Sequence, residues 1–207
     1  MLKILGRLTS INVRKVLWVA DELGMTYERE EWGQPLRDPK VPEFLALNPN
    51  GQVPVIIDDG YVLWDSHVIM RYLAEKDGRD GLLPMLLRHR ALVEQWMQWQ
   101  ATDLTSAWGY AVFALLRKAP GFDDQARIAD SIANWIGKMQ LLEAHLKTSG
   151  DFLANERCSL ADIALALSIH RWKETPFEKP ALPQVDAYFA RLKARPLALP
   201  YLGPNTP

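Results

Sequence analysis

Cysteine is almost missing from this sequence. Cys158 stands alone among 207 residues, which excludes an internal disulfide, a C-x-x-C redox pair and a thiolate metal site. Long apolar runs are missing as well. None approaches the roughly 18 residues of a membrane-spanning helix, and Met1 to Arg7 lacks the layout of a signal peptide. Neither sign of charge dominates: 24 Lys and Arg face 25 Asp and Glu, for a net charge of −1. With no basic block, neither nucleic acid nor a membrane surface is expected as a partner. His67, His89, His145 and His170 show no ligand spacing of the H-E-x-x-H kind, so no metal is expected. These absences fit a soluble protein of a reducing, cytoplasmic compartment. The length allows one large domain or two small ones with sizeable cores.

The most informative stretch runs from Asn48 to Ser66. Val53, Val55, Ile56 and Ile57 form one β-branched run, and Tyr61, Val62 and Leu63 a second. Asp59-Gly60 between them is a pair that tight hairpins favour, because Gly accepts positive φ without a Cβ clash. Pro54 cannot donate to a ladder, so it belongs at an edge or carries a cis bond. A cis bond there would turn the N–H and C=O of Val53 outward, ready to pair with an extended, peptide-like ligand. Asp65-Ser66 then opens an apolar-periodic segment, at a helix N-terminus where free N–H groups and the dipole attract a carboxylate.

Around this stretch, Lys3-Ile4-Leu5 reads as a first strand. Val13, Val16, Leu17, Ala20 and Leu23 repeat at helical spacing up to Gly24. Tyr27 to Trp32 reads as a second strand, Pro42 to Leu47 as a short helical turn, and Asp65 to Lys76 as a helix. The order β-α-β-α-β-β-α is that of a thioredoxin-like domain, assigned to residues 1–77. A polar break at Asp77-Gly78-Arg79-Asp80-Gly81 opens a linker, 78–87. Residues 88–207 read as an all-helical domain: Ala91 to Trp108, a second helix marked by Ile128 to Leu146, a third opened by the capping spacing of Ser159 and Asp162, and a last from Pro183 to Ala194. The fold class is thus α/β followed by all-α.

Asn48-Pro49-x-Gly51-Gln52-Val53-Pro54, followed by Asp65 and Ser66, resembles the glutathione-binding half of the glutathione S-transferase family, and the resemblance spans nearly the whole chain. It implies glutathione as co-substrate, with Lys40 at its glycine end, Gln52 at the same end or on backbone, Val53 and Pro54 beside its backbone, Asp65 on the γ-glutamyl ammonium and Ser66 on the neighbouring carboxylate. Two departures stand out: Pro39 precedes Lys40 where many relatives have His, and Asp65 replaces the commoner Glu. Gly6 to Val16 is similar to the active-site loop of Ser/Thr-type bacterial and plant members, which places Ser10 at the catalytic hydroxyl. Thr9 remains a rival one residue earlier, and Asn12 is a second donor.

The chemistry asked of that loop is modest. A thiol of pKa about 8.5 is mostly protonated at neutral pH, and lowering it by about two units takes about 2.7 kcal/mol. A hydroxyl donor and a helix N-terminus together supply this. Ser, Thr and Asn also favour helix starts for capping alone, and that plainer reading stays open. The resemblance further implies a homodimer, with Asp103 reaching towards the partner's glutathione. It also implies an electrophile site lined by Arg7, Leu8, Trp108, Ala111, Val112 and Trp172, with Tyr201 as a further candidate. Its substrate would be a small hydrophobic electrophile, or an organic peroxide reduced by glutathione. The alternative is a non-catalytic interaction protein on the same fold. A thioredoxin-like disulfide reductase is disfavoured because the first loop has no cysteine.

Overall fold

The computed structural model describes residues 1–154 and 156–203. Four short strands form a mixed sheet: β1 (Leu2–Leu5), β2 (Tyr27–Glu30), β3 (Val55–Asp58) and β4 (Tyr61–Trp64), in the order β2-β1-β3-β4. β1 runs parallel to β2, with Leu2 opposite Tyr27, and antiparallel to β3, with Ile4 opposite Ile56. Between β3 and β4, Asp59 and Gly60 both take positive φ, 48° and 90°, as the tightest hairpin turns require. β2 stops two residues short of the expected end. The chain leaves the sheet there, and Trp32 turns inward against Phe44, with ring centroids 4.7 Å apart.

Helices cover both faces of the sheet. α1 (Ile11–Glu22) and α3 (Ser66–Asp77) pack on one, burying Val13, Val16, Leu17, Ile69, Met70 and Leu73. On the other, the short α2 (Pro42–Leu45) closes a smaller cluster of Leu5, Trp32, Phe44 and Val55. The central strands therefore bury apolar side chains on both faces, Leu2, Ile4 and Ile56 on one and Leu5 and Val55 on the other.

The second half is helical. α4 (Leu87–Trp99) passes without a break into a π turn (Gln100–Leu104), α5 (Thr105–Ala111) and a second π turn (Val112–Leu116). The helix expected over Ala91 to Trp108 is thus longer at both ends. α6 (Gln125–Leu146) is capped by Asp124, whose Oδ1 accepts from Ala126 and Arg127 N–H at 2.9 and 3.2 Å. α7 (Leu160–Glu174) is the central pillar: every residue from Leu160 to Trp172 is buried. α8 (Pro183–Lys193) completes the set. α7 packs against α1, α4 and α8, and one apolar cluster runs from Ile4 and Trp18 through Trp108 to Leu167. None of these helices is long and apolar enough to cross a membrane, among the described residues.

Candidate active site

Asn48 organises the small loop before β3. Buried at 3 % exposure, it donates from Nδ2 to the Gln52 carbonyl at 2.8 Å and accepts from Asn50 N–H at 3.0 Å. Gly51 between them takes φ +57°, and a Cβ there would meet Lys40 Cδ at 2.7 Å and the Pro39 carbonyl at 2.9 Å. Only glycine fits both demands. The Val53–Pro54 peptide is cis, as is Gln34–Pro35. The Val53 N–H and C=O take no hydrogen bond from the described residues. Asp65 follows β4 with φ 73° and caps α3, its Oδ1 accepting from His67 and Val68 N–H at 3.0 Å each. The first amide of the helix, that of Ser66, has no hydrogen-bond partner among the described residues.

These pieces enclose a cavity of about 250 Å³, lined by Asn12, Asn48, Asn50, Gln52, Val53, Pro54, Trp64, Asp65 and Ser66. It is mostly polar, with backbone on one side and a helix N-terminus on the other. A larger cleft of about 470 Å³ adjoins it, between the first loop and the long helix of the second half. Asn12, Gln52 and Val53 line both spaces. Ser10 lines the larger one and caps α1, its Oγ accepting from Val13 N–H at 3.5 Å. That distance is at the limit of a hydrogen bond, so the hydroxyl is weakly committed. Its own proton is free to be donated outward.

The expected residues divide by placement. Ser10, Asn12, Gln52, Val53, Pro54, Asp65 and Ser66 come together around the small cavity and its edge, and Arg7, Trp108 and Val112 line the cleft. Thr9 is exposed and belongs to the lining of neither space. Lys40 stands beside the small cavity with Nζ on the Asn50 carbonyl at 2.7 Å. Asp103 is exposed on the long helix and paired with Lys138 at 2.8 Å, which holds its carboxyl below the usual carboxylate range. Leu8 packs against the main core. Ala111 is buried, its N–H on Ser131 Oγ at 3.1 Å. Trp172 sits edge-on to Trp135 and Phe177, each 5.0 Å away, and Tyr201 stacks on Trp18 at 5.7 Å. These last three make core, not wall.

Other residues enter to which the sequence gives no role in the site. Asn48 and Asn50 carry the loop, and their turn-forming types in Asn-Pro-Asn-Gly were the available signal. Gln100 and Arg171 reach the cleft with no such signal. Lys15, buried in α1, donates to Gln100 Oε1 at 2.8 Å and lies 3.0 Å from His67 Nε2. Gln100 in turn donates to Ser168 at 3.0 Å and Thr105 at 3.2 Å. Burial pulls the Lys15 ammonium down to about 7, opposed by Asp65 and helped by Arg171. Burial first, and Lys15 second, push His67 well below its ordinary value, so it meets Lys15 as a neutral acceptor. This network positions the Gln100 amide at the cleft floor.

Comparison with known proteins agrees with this geometry. Residues 9–76 match the N-terminal domain of glutathione S-transferases, and residues 137–196 the C-terminal domain. Glutathione S-transferase GstB of Escherichia coli (strain K12) is 33% identical over 198 residues, covering 95% of each chain. Glutathione S-transferase 3 of Zea mays is 33% identical, over 94% of this chain and 90% of the relative. The glutathione-bound crystal structure of a theta class glutathione S-transferase from Xanthomonas axonopodis pv. citri superposes with a TM-score of 0.88 at 36% identity, covering 95% and 94% of the two chains. The chain therefore belongs to the glutathione S-transferase family, and it is a glutathione transferase.

Proposed function

We propose that this transferase holds glutathione in the small cavity and presents its sulfur to an electrophile in the adjoining cleft. One observation carries the reading: the two spaces meet at a rim of Asn12, Gln52 and Val53, beside the Ser10 hydroxyl. A peptide paired with the Val53 backbone, its γ-glutamyl end at Asp65-Ser66, brings its cysteinyl unit to that rim. Ser10 then donates to the thiolate, and the N-terminus of α1 adds its partial positive charge. Proximity supplies much of the remaining acceleration. The reaction takes place in the cytoplasm.

Asp65 tests the binding half. Asp65→Asn keeps the Oδ1 that caps α3 and removes the charge that meets an ammonium. Because Asp65 is exposed, the loss is discounted for screening, and KM for glutathione should rise about tenfold with kcat nearly kept. Initial rates over a wide range of glutathione concentration check this. A fall in kcat that saturating glutathione does not restore would show Asp65 acting on the thiol. Calorimetry that finds no heat with millimolar glutathione would sink the whole reading.

The proposed assembly is a homodimer joined through the α3–α4 side. Val68 and Leu92 there are 43% and 42% exposed, and Met85, Leu86 and Leu87 at the start of α4 are 73%, 59% and 74% exposed, apolar side chains that a partner would cover. Light scattering at micromolar concentration should give twice the chain mass of 23.6 kDa; a monomer mass ends the proposal.

A further inference from the structure

The charge of the cleft is one-sided. Arg7, Arg117 and Arg171 line it, and no Asp or Glu does. Arg171 is the most unusual of them. It is 2 % exposed, on the buried pillar α7, and its guanidinium has neither an ion-pair nor a hydrogen-bond partner among the described residues. Nε and Nη2 are fully enclosed without one. Its compensation is the face of Trp108, 4.7 Å away, which offsets only part of the cost of an unpaired buried cation. Burial, with Arg117 and Arg14 beside it, pulls Arg171 down to about 9, so it is still charged at neutral pH. Both of these neighbouring charges repel it. Glutathione does not answer this need, since none of the three arginines lines the small cavity.

We infer that the electrophile is an anion: a small aromatic or unsaturated molecule whose carboxylate pairs with Arg171 while its apolar part lies against Trp108, Val112 and Phe113. A carboxylate pairs with a guanidinium through charge-assisted hydrogen bonds, and its arrival relieves the repulsion among the arginines. The inference rests on the proposed function and narrows the apolar substrate expected from sequence to one with an acidic end.

A matched pair of aryl chlorides tests it. With chlorodinitrobenzoate, the glutathione sulfur bonds to the ring carbon that carries chlorine. Chloride leaves with the bonding electrons, and the thiol proton has already passed to solvent. The carboxamide of the same compound reacts in the same way without the charge. Each rate is divided by its uncatalysed rate with glutathione. Wild-type kcat/KM should then favour the carboxylate by about tenfold or more, and Arg171→Met should bring the ratio close to one. Arg117→Gln, at an exposed side chain, should lower the ratio about threefold. It decides the matter with the wild type should Arg171→Met fail to fold. Equal treatment of both compounds by the wild type overturns the inference and leaves the proposed function standing. If Arg171→Met instead slows both equally and raises the pKa of bound glutathione, the arginines serve the thiolate and the inference is wrong. If glutathione binds yet neither compound is conjugated, the proposed function falls and takes the inference with it.

Discussion

Asp162→Ala should cost the protein a large share of its stability. The carboxylate is fully buried and accepts four hydrogen bonds: Leu153 N–H at 2.9 Å, Ser159 N–H at 2.8 Å, Ser159 Oγ at 2.6 Å and Tyr188 Oη at 2.7 Å. It caps α7, and the same atoms tie α7 to α8 and to the loop before it. Alanine leaves those donors enclosed without an acceptor. Each unmet donor costs about 1–3 kcal/mol, so even with partial relaxation the loss is about 4 kcal/mol, a large share of the 5–15 kcal/mol of a typical domain. Urea unfolding followed by tryptophan fluorescence should show a much lower midpoint. Asp162→Asn, which keeps one acceptor oxygen, should fall between. If alanine shifts the midpoint no more than an ordinary surface substitution does, Asp162 is not what anchors α7.

Ser10→Ala should leave the affinity for glutathione nearly unchanged and raise the pKa of the bound thiol. A donor to a thiolate is worth about 1.5–3 kcal/mol, equivalent to about one to two pKa units. The sign follows: the hydroxyl favours only the anion, so its loss raises the pKa. Activity at pH 6.5 should then drop ten- to a hundredfold and recover as pH rises. Capping is not a competing explanation, because a hydroxyl accepts from Val13 N–H and donates to sulfur at once, and the cap contact is already long at 3.5 Å. Thr9→Ala is the control, since Thr9 is exposed and outside the lining of both spaces. Thiolate absorbance near 240 nm (roughly where thiolates absorb) reads both variants. A shift with Thr9 alone would move the catalytic hydroxyl one residue back. No shift with either would leave the anion to Asn12 and the start of α1.

Much of the glutathione half is legible in the sequence because its signals are local. β-branched runs, Asp59-Gly60, Val53-Pro54 and Asp65-Ser66 each have a short-range physical meaning, and together they set out a hairpin and a helix start. The second half is harder to read. Periodicity marks Leu160, Ile163, Ala164 and Leu167 as one apolar face of α7, yet Ser168, His170 and Arg171 are buried too, because other elements cover the remaining faces. Arg14 and Lys15 fall between the periodic apolar positions of α1, and both are enclosed. A polar residue buried by a distant segment leaves no trace in the spacing of its neighbours. The resemblance places Trp172 and Tyr201 near the electrophile, and nothing in the sequence separates an aromatic of the core from one of the cleft.

The two π turns of the long helix have a consequence for changes in chain length. Each holds one residue more than α-helical spacing requires, as the bond from Arg117 N–H to the Val112 carbonyl at 3.0 Å shows. Removing one residue from Gln100–Leu104 would close the wide turn to ordinary spacing and leave Trp108 and Val112 on their present faces. The same deletion within Thr105–Ala111 would swing everything after it by about 100° and take Val112 out of the wall. This helix should therefore lose a residue at either π turn, next to the cleft, more readily than within the short α segment between them.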